Sequence, residues 1–229
     1  MSDAPERSVD AVLFDLDGTL VDSLATIAEA MAVVLRRHGF DATAEQVVPM
    51  IGPPMEVVAQ QFGAPAEQAI RIQDDYLALY TAEYVARTPE REGATALLDR
   101  LAAAGIALGV VTNKVESSAR DVLSAVGWTD RFDVVVGRDT PGAAAKPAPE
   151  AAWHALGVLG IAPERAAFVG DTEFDVQCAR AAGIRHVIAL DAHRDADFLR
   201  AEGATHLVHM LREVGDVLLS ATRGSEAAS

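Results

Sequence analysis

Two aspartates one residue apart, Asp15 and Asp17, stand where the apolar run AVLFD gives way to the turn-like DLDGTL. A single acid at a strand end can serve as a turn former, because its side chain bonds back to the local backbone. A second one adds repulsion and needs a reason. Further along, other apolar runs end in Thr112, Asn113 and Lys114, and in Gly170, Asp171 and then Asp175; Lys146 precedes the helix that leads into the last of these runs. Taken singly, Asp171 and Asp175 could merely complement a helix dipole. At a spacing of four they repel each other, and Asp15 and Asp17 nearby add to the repulsion. A divalent cation resolves it. Oxygen ligands with no His or Cys among them favour a hard ion, and Mg2+ is the usual choice beside a phosphate.

The lysines sharpen this reading. Only two occur, Lys114 and Lys146, against 17 arginines, so the chain prefers Arg where a surface cation is wanted. Both lysines fall on loops expected at the sheet edge that carries the acids and hydroxyls. A compact ammonium suits a phosphate oxygen, and it also suits a carboxylate nucleophile that must stay ionised.

These groups converge only if the runs are strands of one sheet. Short runs rich in Val, Ile, Leu and Phe occur at 11–15, 106–112, 132–137, 166–170 and 186–190, with a weaker one at 206–210. Helical stretches at about 93–104, 115–126, 149–157 and 173–182 separate them, with Gly105, Gly127 and Gly183 where C-terminal caps are expected. Strands buried on both faces and alternating with helices indicate an α/β fold with a Rossmann-like parallel sheet. In such sheets ligands bind beyond the carboxyl ends of the strands. Residues 23–88 break the rhythm: their apolar residues keep helical spacing, interrupted at Gly39, Gly52–Pro54 and Gly63–Pro65. The expected organisation is a core of residues 1–21 and 89–229 with a small all-helical domain, 22–88, inserted after the first strand. Asp22 and Ser23 are expected to cap its first helix, and both chain tails, MSDAPERS and about TRGSEAAS, to be mobile.

Composition sets the remaining bounds. Half of the 229 residues are apolar and 23% are charged, which fits a folded globular chain. A net charge of -15 without a Lys/Arg block disfavours binding to a nucleic acid or an anionic membrane. One cysteine, Cys178, excludes an internal disulfide framework and a thiolate zinc cluster. With no apolar leader and no long apolar span, the expected compartment is the cytoplasm. Trp128, Trp153 and Cys178 read as packing residues, and the six histidines lie outside the motifs.

DLDGTL at 15–20, VVTNK at 110–114, KP at 146–147 and VGDTEFD at 169–175 together resemble the four motifs of the haloacid dehalogenase superfamily, in the family's order and over nearly the whole chain. The inserted helices resemble its C1 cap, and VLFDLDGTLVDS with VVTNK is most similar to phosphoglycolate phosphatases. The resemblance implies a Mg2+-dependent hydrolase of small phosphorylated metabolites. Asp15 would be the nucleophile that forms an aspartyl-phosphate, and Asp17 the acid and then base, its carbonyl also a metal ligand. Thr112, Asn113 and Lys146 would hold the phosphoryl group. Asp15 and Asp171 would bind Mg2+, with Asp175 acting through water or orienting the site. Gly18 allows close backbone approach, and Thr19 is expected to orient Asp17. The run GRDTPGAAAKP departs from the pattern and is expected to shift or loosen Lys146.

The residues also rank sibling chemistries. Asp17 argues against a dehalogenase, and the lack of any lysine in residues 22–88 argues against a Schiff-base phosphonate hydrolase. A phosphosugar mutase, a pyrophosphatase and a non-catalytic binding module stay in view, the last disfavoured because no catalytic group is missing. Arg36, Arg37, Arg71 and Arg87 could reach a substrate carboxylate such as that of phosphoglycolate; the alternative is that they are solvated helix residues.

Overall fold

The computed structural model describes residues 9–219, so the two tails named above lie outside the described residues. Six strands form one sheet: β1 (Ala11–Phe14), β2 (Ala107–Val111), β3 (Val134–Val136), β4 (Ala166–Gly170), β5 (His186–Leu190) and β6 (His206–Val208). Their order is β3-β2-β1-β4-β5-β6, and every neighbouring pair is parallel. β1 is central, with Ala11 opposite Ala107 on one side and Ala166 on the other. The fold class is therefore the expected one.

Alternation explains how so short a strand as AVLF holds the centre. Val12 and Phe14 point into one apolar layer, with Leu108, Val110, Ala167 and Val169 of the flanking strands. Leu13 points into the other, with Val111, Ala166 and Phe168. Over the first face lie α5 (Ala94–Ala103), α6 (Glu116–Ala125) and α10 (Leu211–Leu219), contributing Leu97, Val122 and Val214 among others. Over the second lie α7 (Glu150–Leu159), α8 (Glu173–Ala181) and α9 (Ala196–Glu202), contributing Ala152, Val176 and Leu199.

Between β1 and α5 come α1 (Leu24–Arg37), α2 (Ala44–Val47), α3 (Met55–Gln61) and α4 (Ala66–Leu79), followed by a π-helical turn at Tyr80–Tyr84. Their buried residues, Ile27, Met31, Val58 and Ile72 among them, belong to the same continuous apolar cluster as the first sheet face. The outgoing and returning connections run side by side: Val21 bridges Glu90 antiparallel, the Asp22 N–H donates to Pro89 O at 3.0 Å, and the Arg91 N–H donates to Leu20 O at 2.8 Å. The helical insertion thus hangs on a two-stranded neck directly beside the loop that carries Asp15 and Asp17.

Three smaller expectations change. The weak strand at 206–210 ends at Val208, and α9 and α10 flank it. Trp153 is 49% exposed, so it does not pack inside as Trp128 does at 1%. Ser23 is the residue before α1, but its side chain caps nothing there.

Candidate active site

The loop after β1 is built to hold two acids at different depths. The Asp15 N–H still donates to Val169 O at 2.9 Å, as a continuation of the ladder, after which Leu16 O accepts from the amides of Leu20 and Val21. Gly18 makes the turn with φ +86°, and a Cβ there would lie 2.5 Å from Asp171 Oδ2, so backbone must approach that carboxylate closely. Asp15 is consequently buried at the sheet edge, and Asp17 is half-buried at the cavity wall.

Lys146 joins the most buried groups. Its Nζ donates to Asp15 Oδ1 at 2.7 Å and to Asp175 Oδ1 at 2.6 Å, and its side chain is 3% exposed. The other oxygen of Asp175 accepts from the Thr172 N–H at 3.0 Å and the Thr172 hydroxyl at 2.6 Å, closing the first turn of α8. The small-residue run before Lys146 does not loosen it. Its N–H donates to Asn113 Oδ1 at 2.7 Å, and its carbonyl accepts from Asn113 Nδ2 at 3.1 Å, so the Asn113 amide ties the two loops together. Thr112, buried, accepts the Lys114 N–H at 3.2 Å on its hydroxyl oxygen.

Asp17 has its own partners. Lys114 Nζ lies 3.0 Å from Asp17 Oδ2 and sits over the Tyr80 ring at 4.4 Å. The Ser23 hydroxyl donates to Asp17 Oδ1 at 2.7 Å. Thr19, expected to do this, donates instead to Asp171 Oδ1 at 2.8 Å, because the left-handed Gly18 turns it toward β4. Ser23 and Tyr80 are contributions that sequence reasoning missed; both belong to the helical insertion or its neck. Lys114 carried a signal, the scarcity of lysine, but not its partner.

Electrostatics explain what the cluster can accept. Asp15, Asp171 and Asp175 each offer a carboxylate oxygen, all within 4.8 Å of one another and all buried. Burial, reinforced by Asp175 and Asp17, pushes Asp15 up to about 7 against the pull of Lys146. Asp171 is raised well above the carboxylate range by burial and then by Asp15 and Asp175. One ammonium among three buried carboxylates leaves negative charge uncompensated. An oxygen-only donor set with that deficit fits a hard divalent cation such as Mg2+. Burial opposes the charge on Lys146 and on Lys114, but the neighbouring carboxylates outweigh it and hold both ammonium groups protonated.

A cavity of about 310 Å³ opens between this sheet edge and the inserted helices, lined at one end by Asp15, Asp17, Thr112, Asn113, Lys146 and Asp171. The chain matches the family model described as Haloacid dehalogenase-like hydrolase over residues 12–189. It belongs to the haloacid dehalogenase-like hydrolases. Among similar proteins, it is 38% identical over 188 residues to "Phosphoglycolate phosphatase" of Xylella fastidiosa (strain 9a5c), covering 80% of this chain and 81% of that one. It is 35% identical over 209 residues to "Tyrosine-protein kinase PtkA" of Mycobacterium tuberculosis (strain ATCC 25618 / H37Rv), covering 90% and 70%. The structure of the haloacid dehalogenase-like family protein SP0104 from Streptococcus pneumoniae superposes with a TM-score of 0.81 at 27% identity, covering 92% of this chain and 98% of that one.

Within this haloacid dehalogenase-like hydrolase the arginines of the insertion take no part in the cavity. The Arg36 guanidinium donates to Ala42 O at 2.7 Å, Arg71 pairs with Glu67 at 3.1 Å and Arg87 with Glu29 at 2.8 Å, while Arg37 is exposed. The arginines that line it are Arg138 and Arg194, neither flagged by the sequence motifs. Among the described residues no helix is long and apolar enough to cross a membrane.

Proposed function

We propose that this chain is a Mg2+-dependent phosphomonoester hydrolase working through an aspartyl-phosphate on Asp15, with residues 1–21 and 89–229 as the core domain and 22–88 as a cap over the site. The observation that carries the reading is the buried ion pair of Lys146 with Asp15 at 2.7 Å, beside a separate carboxylate, Asp17, that has its own ammonium and hydroxyl partners. Two carboxylates in two environments can hold two roles.

An Asp15 oxygen attacks phosphorus, the bond to the leaving alcohol breaks, and Asp17 gives that alcohol its proton. In the second half Asp17 takes a proton from water, the water oxygen attacks phosphorus, and the P–O bond to Asp15 breaks, releasing inorganic phosphate. Thr112, the Asn113 backbone amide and Lys146 bind the equatorial oxygens, where charge collects in a loose transition state. Asp15, Asp171 and the Asp17 carbonyl would hold Mg2+, with Asp175 behind, and the ion would supply positive charge to that group. Asp175 also holds Lys146, and Thr19 holds Asp171, so both positive centres are fixed from behind. The Lys114 and Ser23 contacts fix the direction of Asp17, and Ser23 at the neck makes that direction depend on where the cap sits.

The partners are small phosphorylated metabolites, as the name of the Xylella relative suggests for that protein. The setting we propose is the cytoplasm, with which the chain's one cysteine, Cys178, free and buried, is compatible. The test is a phosphate-release assay with Mg2+ against phosphoglycolate, simple alkyl phosphates, sugar phosphates and pyrophosphate, with Asp15→Asn as blank. Release from at least one phosphomonoester, absent in the blank, is expected; no release from any overturns the proposal. Isomerisation of a hexose 1-phosphate without phosphate release would replace it with the mutase.

A further inference from the structure

The wall facing the acids is mainly apolar, with Gln73 and Tyr76 of α4 its polar side chains. Ile27 and Met31 of α1, Val48 and Ile51 of the short connection after α2, Met55 of α3 and Leu77 of α4 line the cavity opposite Asp15 and Lys146. Val48 is 43% exposed, an apolar side chain left uncovered at that wall. Phe174, at the start of α8, closes the same side, and its ring lies 3.2 Å from where a Cβ on Gly52 would stand.

The charged groups of the lining are already used. Lys114 pairs with Asp17 at 3.0 Å, Arg194 with Glu173 at 2.9 Å and Arg138 with Glu56 at 3.8 Å. His193 Nε2 accepts from the Arg91 guanidinium at 3.2 Å, and burial followed by Arg91 lowers its pKa, which keeps the ring neutral at pH 7. Gln73 spends its carbonyl on the Glu56 N–H at 3.3 Å. A second anionic group on a substrate would lose water against hydrocarbon, or would have to break one of these pairs.

Resting on the phosphatase reading above, we infer that the substrate is a phosphomonoester whose leaving alcohol is apolar and uncharged, an alkyl or arylalkyl phosphate rather than a phosphorylated carboxylate or sugar. An apolar leaving group buries against Ile27, Met31, Val48 and Leu77 while its phosphate meets Lys146 and Thr112. A glycolate carboxylate would have to draw Arg138 from Glu56, and a ring of sugar hydroxyls meets only scattered polar groups in this lining, Gln73, Tyr76 and the unpaired Ser118 hydroxyl.

The experiment compares kcat/KM with Mg2+ for n-butyl and benzyl phosphate against phosphoglycolate and glycerol phosphate, all esters of alcohols of similar basicity. The apolar pair should be favoured by roughly tenfold or more, as expected when a charged group enters a mainly apolar wall whose cations are already paired. Leu77→Arg, checked for its fold by circular dichroism, should narrow that gap toward phosphoglycolate; if it does not fold, the ranking in the unaltered protein still decides. Equal or better use of phosphoglycolate overturns the inference. Loss of such a preference in Arg138→Met would show that Arg138 leaves Glu56 to hold a carboxylate. No ester turned over above the Asp15→Asn blank would instead overturn the phosphatase reading itself.

Discussion

Replacing Lys146 by Met removes the ammonium between Asp15 and Asp175 and keeps most of its volume. At separations of 2.7 and 2.6 Å each contact is worth roughly 6 kcal/mol of Coulomb attraction at an effective dielectric constant of about 20. The cost of burying the lysine and the repulsion between the acids cancel much of this, and breaking a buried pair from one side costs about 3–5 kcal/mol. The loss depends on pH in a definite direction. Asp15 stands at about 7 in the folded chain against an ordinary 3.8, so between those values the folded state binds more protons than the unfolded one, and stability falls as pH rises. Without Lys146 the folded value climbs further, and the fall extends to higher pH. Urea denaturation in EDTA should therefore show a larger Lys146→Met penalty at about pH 8 than at about pH 5.5. Turnover should drop roughly 10²–10³-fold, the range seen when one charge-stabilising donor is lost. A penalty equal at both pH values, or turnover within threefold of the unaltered protein, would refute the charge-partner argument.

Three further outcomes follow from the geometry. Ser23→Ala frees Asp17 Oδ1 of its 2.7 Å donor and should lower kcat about tenfold with a stability loss near 1 kcal/mol, measured by steady-state kinetics and denaturation. Gly18→Ala places a methyl 2.5 Å from Asp171 Oδ2 at φ +86° and should cost roughly 1–3 kcal/mol and weaken Mg2+ binding, read by denaturation and by metal titration. Mg2+ should raise Tm more at about pH 8 than at about pH 5.5, because protons compete for the Asp15 and Asp171 oxygens; no rise at either pH would remove the metal from the account.

The sheet was legible because strands buried on both faces leave unmistakable apolar runs; β4 and β5 have the bounds that the runs AAFVG and HVIAL suggest. α9 was not, since seven residues with an exposed Phe198 carry too little periodicity, although Asp195 caps it by accepting the Asp197 and Phe198 amides at 3.0 Å. The convergence of Asp15, Thr112, Lys146 and Asp171 was legible because strand ends of a parallel sheet share an edge. Individual pairings were not. Thr19 is two residues from Asp17 and Ser23 is six, yet the left-handed turn at Gly18 sends Thr19 to Asp171 and brings Ser23 to Asp17. Lys114 announced itself by rarity, while its seat on Tyr80 depends on how α4 crosses the site, which no local pattern encodes.

The central claim is that Asp15 carries the phosphoryl group. Rapid acid quench of the protein turning over a phosphomonoester with Mg2+, followed by peptide mass spectrometry, should find one phosphoryl group on the peptide containing Asp15, absent in Asp15→Asn and discharged when turnover is allowed to finish. Steady turnover with no phosphoryl group on that peptide, or with the group on another residue, would contradict it.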